Sequence, residues 1–152
     1  MPEKITIRRA HGSEQGRTII YTDGGARGNP GPAGSAAVLK SFEHSKEGET
    51  IATASRYLGE ATNNQAEYMA LIIGLQKAKA LGYEVVDVLM DSELIIKQMK
   101  GEYRVKNPDL SKLFLEVWNL RQGFSKVDFH HIPREKNTEA DALVNQTIDA
   151  HV

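Results

Sequence analysis

Apolar residues recur along this chain with two different periods, and the changes between them mark out its elements. Thr18 to Thr22 is a short β-branched and aromatic run, closed by the Gly and Pro cluster from Gly24 to Gly34, which is the composition of a strand entering a loop. Ser35 to Lys40 and Ile51 to Leu58 are further strand candidates, and the polar stretch Glu43 to Glu49 between them reads as a hairpin connection. Three strands in succession predict an antiparallel meander. From Asn64 to Leu81 the spacing becomes helical: Tyr68, Leu71, Ile72, Leu75 and Ala78 fall every three or four residues, and Gly82 closes the segment. Val85 to Met90 is the next strand, and Ser92 to Lys100 a short helix. Pro108 opens a longer helix through Leu113, Val117 and Leu120 that stops at Gly123. Lys126 to His131 reads as the last strand, ended by Pro133, and Thr138 to Ala150 as the last helix.

The order βββαβααβα predicts an α/β fold with a five-stranded mixed sheet, three antiparallel strands followed by parallel ones, and helices on both faces. Residues 18–152 read as one domain. Residues 1–17 read as an N-terminal extension, expected to be disordered rather than paired as an added strand through Ile5 to Arg8. The chain has 152 residues, 40% hydrophobic and 26% charged, enough to bury roughly two-thirds of its unfolded surface in a single core. There is no cysteine, which excludes disulfides and thiolate metal sites and fits a reducing cytoplasm. Met1 to Gly16 has neither the apolar core of a signal peptide nor the length of a membrane span, so a cytoplasmic protein without a membrane partner is expected. A net charge of −1 argues against a broadly basic nucleic-acid coat, so any such binding needs a local patch or metal-bridged phosphates.

Candidate chemistry lies in four carboxylates at the junctions of these elements: Asp23, Glu67, Asp91 and Asp141. Each has an ordinary structural explanation. Asp23 suits a turn before two glycines, and Asp91 suits an N-cap for the helix starting at Ser92. Glu67 lies three residues after Asn64, and Asp141 three after Thr138, the spacing of a capping box. Capping does not explain where the side chains point. Asp141, Val144 and Ile148 share one helix face, so that carboxylate faces or borders the packing surface, where an unpaired charge is costly unless a metal or a basic partner relieves it. Asp91 and Asp23 follow neighbouring strands and converge on one edge of the sheet.

At these residues the chain resembles type 1 ribonuclease H, from Thr18 to about Ala150. The resemblance rests on Tyr21-Thr22-Asp23-Gly24-Gly25, Gly28 to Gly34, Thr62-Asn63-Asn64-Gln65-Ala66-Glu67, Asp91-Ser92 and Asn137 through Asp141. It implies an endonuclease that hydrolyses the RNA strand of RNA/DNA hybrids, leaving 5′-phosphate and 3′-hydroxyl ends. Asp23, Glu67, Asp91 and Asp141 would then bind two divalent cations, Mg²⁺ with Mn²⁺ substituting, since oxygen-only ligands suit both. Gly28 and Asn29 would approach the RNA minor groove, Asn63 and Asn64 would contact nucleotides, and Thr62 and Asn107 would hold a phosphate of the DNA strand. Double-stranded RNA is a further candidate partner, and a monomer is expected.

The chain departs from the better-known family pattern in three places. Glu60 lies where a basic residue often lines the phosphate pocket. The segment from Lys100 to Pro108 leaves no room for a basic, Trp-rich protrusion, with only Tyr103, Arg104 and Lys106 as substitutes. The loop His131 to Asn137 is the shortened form, in which Arg134 would take the catalytic-loop role with a fixed positive charge. His130 and His131, adjacent on a strand, should point to opposite sides. Two other readings stand beside this one: a noncatalytic nucleic-acid-binding module that keeps the fold, and another nuclease of the same broad superfamily.

Overall fold

The computed structural model describes residues 16–152. The expectation for the extension, including the strand through Ile5 to Arg8, lies outside the described residues except at Gly16 and Arg17. The element order is the expected one: β1 (Arg17–Ala26), β2 (Gly31–Glu43), β3 (Lys46–Ala61), α1 (Asn63–Ala80), β4 (Val85–Met90), α2 (Glu93–Met99), α3 (Pro108–Arg121), β5 (Lys126–His131) and α4 (Thr138–Asp149), with a 3₁₀ turn at Arg134–Lys136 before α4. The five strands form one sheet in the order β3-β2-β1-β4-β5. β1, β2 and β3 pair antiparallel, whereas β4 runs parallel to both β1 and β5.

The meander is longer than its apolar runs. β2 and β3 are joined only by His44 and Ser45, both in the left-handed region at φ 54° and 61°, and Glu43 pairs with Lys46 across the turn. Two consecutive positive-φ residues give a tight hairpin turn whose twist matches the flanking strands. The polar stretch Glu43 to Glu49 is therefore strand on either side of a two-residue turn rather than a connection. Residues 43–50 are exposed, so ladder hydrogen bonds rather than apolar burial hold them, and no hydrophobic alternation marks them in the sequence. At the other end, β1 runs on through Gly24, Gly25 and Ala26, which pair with Ser35, Gly34 and Ala33.

Helices cover both faces of the sheet. On one, the buried Leu71, Ile72 and Leu75 of α1 join Ile20, Leu39, Val86 and Val88 from three strands. On the other, Val144 and Ile148 of α4 pack on Ala36. Ala36 and Ala37 are neighbours that face opposite helices, as the pleat requires. Fully burying each such aliphatic side chain contributes about 1.5–3 kcal/mol. No helix among the described residues is long and apolar enough to cross a membrane.

Candidate active site

Asp23 lies inside β1, paired with Ala36, so the turn explanation for it fails. Its next neighbour sets how close α1 can come. A Cβ on Gly24 would lie 2.2 Å from the carbonyl oxygen of Ala66, an approach only glycine permits. Ser35 on β2 donates its hydroxyl to the same carbonyl at 2.7 Å. α1 is thus clamped to β1 and β2 one residue before Glu67.

The helix caps are made by other residues than the carboxylates. Thr62 accepts from the Gln65 backbone N–H at 3.1 Å, and the Gln65 side chain accepts from the Thr62 N–H at 2.9 Å, a complete capping box two residues short of Glu67. Ser92, rather than Asp91, caps α2. At α4 the N-cap is Asn137, whose side chain makes no capping bond, and Thr138 is already helical, so no box forms with Asp141. All four carboxylates are left free of the capping work that could have explained them. Asp141 borders the buried face of α4, lining one cleft with Val144 and Ile148. It is itself exposed, one turn before the buried Val144 and two before Ile148.

Asp23, Glu67 and Asp91 each present a carboxylate oxygen within 4.8 Å of the others. Asp141 lines the same cleft as Asp23 and Glu67. Burial, then the charges of Asp91 and Asp141, push the Asp23 carboxyl up to about 7, although the Gly24 N–H opposes the shift. Glu67 is held well above the usual carboxylate range by burial and then by Asp23 and Asp91, with the Gly24 N–H and Arg134 working against it. Its Oε1 is buried without a hydrogen-bond partner among the described residues. Crowded anionic oxygens, one of them buried and unsatisfied, are the donor set of a hard divalent cation, which would offset both the repulsion and the missing bond.

The cleft at this point has a volume of about 330 Å³ and is lined by Asp23, Glu67, Asp141 and Arg134 together with Asn63 and Arg27. Above it the β1–β2 loop is stapled to the start of α1. The Ala26 N–H donates to Asn63 Oδ1 at 2.8 Å, and the Asn63 N–H donates to Asn29 Oδ1 at 3.0 Å. Gly28 takes φ +91°, which a side chain would resist. Arg27 reaches α4, with Nη1 2.6 Å from Asp149. A neighbouring cleft of about 240 Å³ is lined by Asn29, Thr62, Asn64, Gln65 and Asn107 among others. Asn107 caps α3 through its Oδ1, accepting from Asp109 and Leu110, which leaves its amide hydrogens as donors. Glu60 is exposed near the end of β3 and is not among the residues that line this cleft.

His130 and His131 are both exposed, at the end of the edge strand β5, so neither imidazole is buried. His130 Nε2 lies 3.1 Å from Asp87, whose other oxygen takes Arg17 at 2.7 Å, so the Asp87 carboxylate is already matched by a cation of the chain itself. The sequence pattern gave no role to Asn137. It is 1% exposed, and its Nδ2 donates both to the Thr22 carbonyl at 2.9 Å and to Asp91 Oδ2 at 3.1 Å.

Residues 21–147 match the family model described as reverse transcriptase-like. The crystal structure of RNase H1 from the halophilic archaeon Halobacterium salinarum superposes with a TM-score of 0.83 at 40% identity, covering 88% of this chain and 98% of that one. The chain belongs to the type 1 ribonuclease H family. LC11-RNase H1, a ribonuclease H isolated from compost and solved in complex with an RNA/DNA hybrid, is similar at 46% identity and a TM-score of 0.81, covering 88% of this chain and 97% of that one. A bifunctional protein of Mycobacterium tuberculosis is 45% identical over 134 residues, or 88% of this chain and 36% of the relative. The chain thus spans about a third of the length of that relative. The segments carrying the ribonuclease H resemblance, from Tyr21 to Asp141, all fall within the matched region.

Proposed function

We propose that this chain is an endonuclease that hydrolyses the RNA strand of RNA/DNA hybrids, with Asp23, Glu67, Asp91 and Asp141 holding two divalent cations, Mg²⁺ or Mn²⁺ in its place. The observation that carries the reading is the meeting of three carboxylate oxygens within 4.8 Å, with Asp141 lining the same cleft and Glu67 Oε1 buried without a hydrogen-bond partner among the described residues. Bound there, the cations would supply an activated water and charge to stabilise the leaving oxygen, so that the products carry 5′-phosphate and 3′-hydroxyl ends. Similarity to LC11-RNase H1, seen with a hybrid, supports the substrate class.

The chain's own groups bind and orient the duplex. The Gly28 backbone and the amides of Asn29, Asn63 and Asn64 offer donors and acceptors to the 2′-hydroxyls and base edges of a minor groove. Thr62 and Asn107, already fixed as helix caps, turn their remaining donors to a phosphate of the DNA strand. Arg134 holds a permanent positive charge beside Glu67 and offsets charge on the phosphate without exchanging a proton. Residues 100–107 form a largely exposed loop in place of a basic protrusion, so hybrid binding is weaker than such a protrusion would give. One chain carries the whole centre, and it works as a monomer.

The test is cleavage of an end-labelled RNA/DNA hybrid with Mg²⁺ and with chelator, beside single-stranded RNA, duplex RNA and duplex DNA. Metal-dependent cutting of the hybrid RNA strand is expected, and the duplex RNA lane decides whether that partner is also cut. Cutting of duplex DNA without the hybrid would place the chain with other nucleases of the superfamily. Hybrid binding without cutting in either metal would make it a noncatalytic module.

A further inference from the structure

Asn137 occupies a position where its residue type has an ordinary task, and it does not perform it. As the N-cap of α4 it should accept from a backbone N–H of the first turn, which typically contributes about 1 kcal/mol. Instead its side chain makes no capping bond, its Oδ1 is buried without a hydrogen-bond partner among the described residues, and its backbone sits at φ −117°, ψ 35°. Leaving a buried carbonyl unsatisfied is costly, so some other demand holds the side chain in place.

That demand is visible at the other end of the amide. Nδ2 meets two acceptors, the Thr22 carbonyl at 2.9 Å and Asp91 Oδ2 at 3.1 Å. An amide has two hydrogens on this nitrogen, and both are used. The orientation is unambiguous, because the flipped amide would set its oxygen against a carbonyl and a carboxylate. Thr22 immediately precedes Asp23, so one planar group ties the stretch of β1 that carries Asp23 to the carboxylate that follows β4. Its backbone carbonyl accepts from the Asp141 N–H at 3.1 Å, which adds the helix bearing the fourth carboxylate.

We propose that Asn137 is the positioning residue of the centre: it fixes the Asp91 carboxylate relative to Asp23 and so presets the oxygen pair that receives a divalent cation. The inference rests on the cation reading of the four carboxylates given above. Partners that orient ligating carboxylates typically change metal affinity or activity by about 10- to 100-fold when removed. Asn137 is buried and is not among the residues lining the cleft, so its effect passes through Asp91.

The test is Mn²⁺ binding to the whole chain without nucleic acid, by calorimetry, for wild type and Asn137→Ala. The variant is expected to bind about 10- to 100-fold more weakly. Binding within about twofold of wild type would overturn the inference while leaving the proposed nuclease activity intact. Wild-type protein that binds no Mn²⁺ at millimolar concentration would overturn both. A second variant covers the case in which Asn137→Ala does not fold. Asn137→Asp keeps the shape of the side chain and loses both donors. With the fold intact by circular dichroism, its hybrid turnover at saturating Mg²⁺ should fall at least about tenfold at unchanged KM. Turnover equal to wild type would show that Asn137 only fills space.

Discussion

Gly24 and Ala66 are in backbone contact so close that a Cβ on the glycine would lie 2.2 Å from the alanine carbonyl oxygen. Each is the chain neighbour of a carboxylate, Asp23 and Glu67. The contact therefore sets the distance between two anions by backbone packing rather than by side-chain bonds, a rigid basis for a site whose members repel. Gly24→Ala should push α1 away from β1, with a stability loss of about 1–3 kcal/mol from overpacking alone. Ser35→Ala, which removes only the hydroxyl bond to the same carbonyl, should cost about 1 kcal/mol. Urea unfolding of the two variants checks the order, and equal losses would contradict it.

The raised Asp23 pKa carries a sign that can be tested without substrate. Its carboxyl shifts from 3.8 to about 7, so between those values the folded protein holds a proton that the unfolded chain has released. The group's contribution to stability is fully present below its unfolded pKa and is lost as pH rises through 7. In chelator, Asp23→Asn should match wild type near pH 4 and exceed it at pH 8 by on the order of 1–3 kcal/mol. A pH-independent difference in urea unfolding would contradict this.

Cation binding should release protons for the same reason. Near pH 6 the Asp23 carboxyl is mostly protonated and must ionise to act as a ligand, whereas near pH 9 it is already ionised. Calorimetric Mn²⁺ titrations in buffers of different ionisation enthalpy should report more protons released at the lower pH than at the higher. Equal proton release at both would place the ligands elsewhere.

Arg134 should act by charge alone. Arg134→Ala is expected to lower hybrid turnover roughly tenfold or more at unchanged KM, while Arg134→Lys recovers part of the loss, since a fixed donor near developing charge acts mainly on the chemical step. Steady-state kinetics on a hybrid separates the two parameters. A KM effect without a turnover effect would make Arg134 a binding residue only.

Much of the fold is legible in the sequence because burial imposes a period. α1 carries buried Tyr68, Leu71, Ile72, Leu75 and Ala78 at helical spacing, and its limits fall within a residue or so of the pattern. The distal β2–β3 hairpin carries no such mark, since its exposed residues are held by ladder hydrogen bonds. The four carboxylates could be picked out singly, but only the fold separates them from helix caps, by showing that Thr62 and Ser92 hold those places. Asn137 was hidden for a different reason. Its partners lie 115 and 46 residues away along the chain, and an asparagine before a helix is indistinguishable in sequence from a cap.

The central claim is that the four carboxylates form one cation-dependent centre for cutting hybrid RNA. Its most direct measurement is single-turnover cleavage of an RNA/DNA hybrid at saturating Mg²⁺ by wild type and by Asp91→Asn, with hybrid binding measured in parallel. The expected result is RNA-strand cleavage by wild type, abolished in the variant while binding persists. Cleavage retained by Asp91→Asn at saturating Mg²⁺ would contradict the assignment.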